Sequence, residues 1–304
     1  MVKKINLYRK YNYVGVIALI CATIIWGSTF VATQPLLDNT GALTVTALRF
    51  SIGVIALLPL AYYQGFRLKM VFKKFFIVFG FTGITCYFGL QNLGLLYTSA
   101  GNASLIQAGI PAVTAILAFI ILKEKLSPKK VIGIILSIFG VILVSSVVPE
   151  SGDLFGNILI ITSVISYGLY TVIGKLIRKN QYSAVVTTIS GFVSGLLFLI
   201  PFVAIETLLI GLPIITINEW IILIYLGVIG SAATLFLWNY ALKYVNASVA
   251  GVYVNLIPVV GLIFAWYFGE SITLVQLTGI ALVLLGVLIS EIKTKKFINE
   301  NIVG

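Results

Sequence analysis

The sequence predicts an all-α integral membrane protein: ten transmembrane helices as two inverted five-helix repeats, with both termini cytoplasmic. Three observations carry the prediction. Apolar runs of roughly twenty residues recur along the whole length, each long enough to cross a hydrocarbon core of about 30 Å at about 1.5 Å per residue. Basic residues gather in alternate connections between those runs. Features of the first half return 147 residues later.

Composition alone excludes a soluble domain. Of 304 residues, 60% are hydrophobic and 10% charged, where soluble domains carry about 25% charged residues. Cys21 and Cys86 both fall inside apolar runs, so no disulfide framework is indicated. A net charge of +11 would suit nucleic acid as a partner, but its placement points to membrane orientation instead.

Taken in order, spans are expected over Tyr13–Gln34, Ala42–Tyr62, Phe75–Leu96, Asn102–Leu122 and Val131–Val147, then over Asn157–Lys175, Ala184–Ile205, Trp220–Leu242, Ala247–Phe268 and Leu274–Ile292. The charged segment before the first span lacks a small-residue cleavage site, so that span is expected to be retained. With the N-terminus inside, every basic residue except Arg49 falls in an inside segment. The outside segments carry Asp38, Glu150, Asp153, Glu206, Glu219 and Glu270. Lys/Arg bias on short loops sets orientation, so both termini are expected in the cytoplasm and the span count is expected to be even.

The repeat agrees with that count. Shifting Gln91–Pro111 by 147 gives seven identities in 21 positions, among them Asn92/Asn239, Tyr97/Tyr244 and Pro111/Pro258. A shift of 146 pairs Glu124 with Glu270, Gly133 with Gly279 and Gly140 with Gly286; a fainter one of 142 pairs Phe50/Phe192, Gly53/Gly195 and Pro59/Pro201. Five spans per half is odd, so the halves enter the membrane in opposite senses. Such inverted repeats place substrate near mid-membrane between the halves. The expected organisation is a cytoplasmic segment 1–12, a first repeat 13–148, a second repeat 149–292 and a cytoplasmic tail 293–304.

These residues resemble a known family. WGSTF at Trp26–Phe30, LRF at Leu48–Phe50, the paired mid-span prolines and the glutamate after the fourth and ninth spans are similar to the drug/metabolite transporter superfamily, in its ten-helix EamA-type branch. The resemblance covers roughly residues 14–292. It implies a five-plus-five inverted fold, a central cavity, and movement of small metabolites, often export of amino acids or related compounds.

The chain has no histidine, and no acid falls in the middle of any expected span. Metal sites and Ser-His-Asp or Cys-His catalysis need those groups, so no enzyme activity, metal or cofactor is expected. Proton relays in carriers usually run through buried carboxylates or histidines, so transport without an obligatory relay is expected.

Pro111 and Pro258 lack the N–H that would bond the carbonyl four residues back, which is expected to free the C=O of Gln107 and of Val254. Both prolines are candidate gating positions, together with Glu124 and Glu270 as helix-end or gate salt-bridge residues. Polar side chains deep in spans tend to face the bundle interior. The candidate substrate-binding residues are Trp26, Thr29, Arg49, Tyr87, Gln91, Gln107, Tyr170, Trp238, Tyr253 and Asn255, an aromatic lining with amides and one guanidinium. Each could equally be interhelical packing. Arg49 lies about 10 Å into the second span from its outer end at about 1.5 Å per residue. It reads either as an anchor for a substrate carboxylate or as a tie to a helix or, by snorkelling, to outer headgroups. Gly133/Gly140 and Gly279/Gly286 mark close helix packing, within the bundle or between two copies of a homodimer.

The expected function is therefore secondary transport of a small organic metabolite across the plasma membrane by alternating access. An amino acid or related zwitterionic or neutral solute, moved outward, is the first class indicated. Efflux of lipophilic cations stays open, as does a membrane-embedded protein without transport, a sensor or an enzyme. The expected partners are the solute and the lipid bilayer, with no nucleic acid.

Overall fold

Apolar runs with no internal partner for their backbone must form helices in lipid, and the described chain is helical throughout. The computed structural model describes residues 2–37, 40–98, 103, 106–145, 154–267 and 274–291. In chain order its helices are α1 (Val2–Leu37), α2 (Ala42–Tyr63), α3 (Lys74–Leu95), α4 (Ile110–Leu122), α5 (Pro128–Ser145), α6 (Leu154–Lys179), α7 (Ala184–Ile210), α8 (Ile217–Ala241), α9 (Ala247–Tyr253), α10 (Leu256–Tyr267) and α11 (Leu274–Glu291). Among the described residues, six stretches are long and apolar enough to cross a membrane: Tyr13–Leu37 of α1, and α2, α3, α6, α7 and α8. Shorter apolar helices fill α4, Ala247–Gly261 and Leu277–Gly286. The apolar span of α1 begins at Tyr13, as expected, and the helix itself extends back to Val2.

Local chemistry explains where helices begin and end. α5 starts with Pro128, whose missing N–H costs nothing in a first turn, behind Ser127, whose hydroxyl accepts from Lys130 N–H at 3.3 Å. α8 opens with a capping box: Thr216 accepts from Glu219 N–H while the Glu219 carboxylate accepts from Thr216 N–H. α4 ends at Lys123 in the left-handed conformation, φ 56° and ψ 31°, a stop that satisfies terminal carbonyls, and α7 ends at Gly211, whose φ of 89° with ψ 177° is open to glycine.

The prolines correct one expectation. Neither interrupts a continuous α-helix. Pro111 sits in the first turn of α4, behind a 3-10 turn at Gln107–Gly109. Pro258 sits in the first turn of α10, behind a break at Val254–Asn255. The Gln107 carbonyl accepts from Ile110 N–H, and the Val254 carbonyl accepts from Ile257 N–H at 2.9 Å. The carbonyls expected to be free are thus paired by tightening the backbone to an i→i+3 turn.

Counterparts in the two halves meet at the centre. Phe50 on α2 and Phe192 on α7 are 142 residues apart and touch edge to face, ring centroids 4.9 Å apart. Each of these helices has a second close neighbour. A Cβ on Gly195 would lie 2.7 Å from the Gly80 carbonyl, and one on Gly53 would lie 3.2 Å from the Gly227 carbonyl. Glycine lets α7 approach α3 and α2 approach α8 backbone to backbone. Just past Gly80 and Gly227, α3 and α8 each turn to π-helix, at Phe81–Phe88 and Val228–Ala233. α5 packs on α11, where a Cβ on Gly286 would lie 2.5 Å from the Gly133 carbonyl. In this structure Gly133 and Gly286 pack within one chain.

Candidate functional site

Five large rings from four helices, α1, α3, α6 and α8, fill the centre of the bundle. Trp26 of α1 meets Tyr87 of α3 at 6.3 Å, Tyr167 of α6 at 5.4 Å and Trp238 of α8 at 5.7 Å between centroids. Tyr167 also contacts Tyr87 at 4.5 Å and Tyr170 at 5.6 Å. All five are buried. A chain of amides runs from this cluster: Tyr87 Oη donates to Gln107 Oε1 at 3.0 Å, and Gln107 Nε2 donates to Gln91 Oε1 at 2.8 Å. Trp26, Tyr87, Gln91, Gln107, Tyr170 and Trp238 are thus brought to one place, where the rings pack on one another.

Tyr167 was not singled out from sequence, although it bridges four of these rings. Its signal was available: it stands three residues before Tyr170 in an apolar helix, and that spacing shares a face.

Arg49 is 1% exposed, which corrects the snorkelling alternative: it does not reach the headgroups. Its Nε donates to Ser231 Oγ at 2.9 Å and its Nη2 to the Gly230 carbonyl at 3.2 Å. The guanidinium also lies 4.9 Å from the Phe88 ring centroid and 5.5 Å from that of Phe50. Phe88 in turn lies 6.2 Å from Trp26, so the charge abuts the aromatic cluster. Gly230 and Ser231 belong to the π segment of α8, where the wider turn leaves backbone carbonyls open to other donors. Thr29 lies beside them: a Cβ on Gly230 would be 2.7 Å from Thr29 Cγ2. No carboxylate pairs with Arg49 among the described residues.

Tyr253 ends α9 and Asn255 lies in the break before α10, and both are buried. Neither amide atom of Asn255 has a hydrogen-bond partner, nor has Trp238 Nε1 or Thr114 Oγ1. Buried polar atoms without partners are uncommon, and here they border the proline turns and the ring cluster.

Asn92 and Asn239 serve as scaffold. Asn92 Nδ2 donates to Thr46 Oγ1 at 2.9 Å, and Asn239 Nδ2 donates to Thr188 Oγ1 at 3.0 Å, so each half ties its helices with the same bond. Glu124 acts at a helix end: its carboxylate accepts from Ala247 N–H at 3.1 Å, Ser248 N–H at 3.2 Å and Ser248 Oγ at 2.8 Å, capping α9. Lys175 holds the same connection, donating to the Leu242 carbonyl at 2.7 Å and to that of Val245. Glu270 lies outside the described residues.

The chain matches the EamA-like transporter family over residues 13–146 and again over 154–291. It belongs to that family. Relatives include "Uncharacterized transporter YetK" of Bacillus subtilis (strain 168), 29% identical with 92% of this chain and 87% of that protein covered. "Uncharacterized transporter YyaM" of the same organism is 30% identical, with 94% and 93% covered. An "Uncharacterized transporter" of Archaeoglobus fulgidus is 29% identical, with 90% and 97% covered. A solved structure titled "Crystal structure of protein" superposes with a TM-score of 0.74 at 19% identity, covering 91% of this chain and 96% of that one; this likeness concerns the fold. As an EamA-like protein the chain is a multi-pass membrane transporter rather than an enzyme.

Proposed function

We propose that this EamA-like transporter moves a small zwitterionic solute, an amino acid or a close relative, outward across the plasma membrane by alternating access. In this reading ten helices cross the bilayer as two inverted sets of five, with both termini in the cytoplasm. The glycine-mediated contacts of α2 with α8 and of α7 with α3 favour two like halves, and the placement of basic residues favours that orientation. The observation that carries the substrate class is Arg49. A buried guanidinium without a carboxylate partner costs several kcal/mol of desolvation, and a substrate carboxylate would offset that cost by bidentate pairing. The ring cluster offers π faces to an ammonium group. The buried positive charge disfavours a lipophilic cation as cargo.

Liposomes holding only this protein test the reading with labelled amino acids. We expect saturable flux that falls at least tenfold in Arg49→Gln and is not restored in Arg49→Lys, whose ammonium cannot make a bidentate pair. Normal flux in Arg49→Lys would sink the anchor role, and saturable flux of a lipophilic cation indifferent to Arg49 would favour drug efflux. Imposing only a pH gradient is expected to drive no uphill accumulation.

A further inference from the structure

A cavity of about 720 Å³ opens at one end of the bundle, where α2 and α8 finish and α6 turns into α7. Arg178, Lys179 and Lys243 line it, and no acidic side chain does so among the described residues. Three cations on one wall repel each other unless an anion lies between them.

Arg178 points the same way. It is 7% exposed, one of its terminal nitrogens donates to the Tyr182 carbonyl, and its Nε has no hydrogen-bond partner. That Nε is enclosed by protein, but no carboxylate meets the guanidinium among the described residues, so its charge is left for an anion in the cavity to balance.

The other half of the molecule indicates what that ligand carries. The N-terminus of α7 opens into the cavity at Ser183 and Ala184. Its counterpart 142 residues earlier is the N-terminus of α2, at Ala42. There the Glu206 carboxylate accepts from Leu43 N–H at 3.0 Å, Thr44 N–H at 2.7 Å and Thr44 Oγ1 at 2.7 Å. The residue equivalent to Glu206 by the same interval is Gln64, a neutral side chain that lines the cavity. One helix start therefore carries a built-in carboxylate, and its twin faces a cavity with three cations and no acid. At the start of α7 the Ser183 hydroxyl accepts from Val186 N–H at 3.1 Å, and the helix dipole with the remaining first-turn N–H groups favours an anion.

Aromatic side chains form the rest of the wall. Phe236, Tyr240 and Tyr244 line it in a row, with centroids 6.0 Å and 5.1 Å apart. A bare inorganic ion would leave that surface unused, and the volume falls in the range of small-molecule sites, about 300–1,000 Å³.

We propose that this cavity binds a small organic anion, its carboxylate or phosphate against Arg178, Lys179, Lys243 and the start of α7, and its apolar body against the aromatic row. The site is distinct from the Arg49 centre, and a binding measurement without flux tests it, so its fate is separate from that of the transport reading. An anionic lipid headgroup presents the same chemistry as a soluble phosphate ester.

The test uses the full chain in neutral detergent at fixed ionic strength, titrated with phenyl phosphate, with phenol and benzylammonium as controls. Phenyl phosphate is expected to raise Tm by binding linkage, and the controls are not. Lys179→Gln combined with Lys243→Gln removes two exposed side chains, so the protein should fold, and is expected to weaken phenyl phosphate at least tenfold by calorimetry. Equal responses to phenol, or an unchanged affinity in the double variant, would overturn the proposal. Nanodiscs separate the sources. Binding kept in phosphatidylcholine discs but lost in phosphatidylglycerol discs assigns the site to a lipid headgroup; binding kept in both assigns it to a soluble anion. Binding in neither would count against the site.

Discussion

The two ends of the α2–α7 pair are built from equivalent positions and finish differently. At the start of α2, Leu36, Leu37, Ala42 and Leu95 are buried together, and Glu206 closes over the backbone so tightly that a Cβ on Gly41 would lie 2.2 Å from its carboxyl carbon. At the start of α7, Arg178 and Lys179 stand 142 residues after Leu36 and Leu37, Gln64 replaces the acid, and a cavity opens. The backbone plan is shared, and the side chains decide which end is sealed. Inequalities of this kind are where the two ends of the molecule differ chemically.

That contrast can be broken from the sealed side. Glu206→Ala leaves Leu43 N–H, Thr44 N–H and Thr44 Oγ1 without their charged acceptor, an expected loss of about 2 kcal/mol, read as a lower Tm. In the same variant a cysteine at Leu93, with Cys21 and Cys86 replaced by serine, is expected to react faster with a maleimide; unchanged labelling would mean that Glu206 does not seal that end. From the open side, Gln64→Glu gives α7 the acid that α2 already meets. We expect a gain of about 0.5 kcal/mol from charge at a helix start and several-fold weaker phenyl phosphate binding, and unaltered binding would refute the equivalence of the two positions. The smallest effects should be the equal ones. Thr46→Val removes the bond to Asn92, and Thr188→Val the bond to Asn239 together with a longer one, 3.4 Å, to the Leu235 carbonyl; each asparagine bond is expected to cost about 0.6 kcal/mol by thermal denaturation. A large difference between them would show that the scaffold, too, is asymmetric.

Helix positions were legible because lipid forces apolar runs into helices, and the 147-residue echo of Asn92 in Asn239 foretold two matching ties. Glu124 was legible only as an acid following an apolar span; that it caps α9, 123 and 124 residues further on, was not. The proline turns were half legible: the break was visible in Pro111 and Pro258, but the pairing of the Gln107 and Val254 carbonyls depends on backbone torsions that residue identity alone does not specify. The π segments left no mark in composition, so the partners of Arg49 at Gly230 and Ser231 were out of reach, 181 and 182 residues away.

By itself the sequence determined that this chain lives in a membrane, is helical, and carries one plan twice, because hydropathy, charge placement and internal repetition are properties of the string. Only the tertiary structure decided what meets at the centre and at the ends. Phe50 touching Phe192, Tyr167 bridging the rings, Glu206 capping α2 and Arg178 lining an open cavity are all contacts between residues far apart in the chain. Their physical cause is close packing at glycine crossings, which brings those groups within reach only once the helices have assembled.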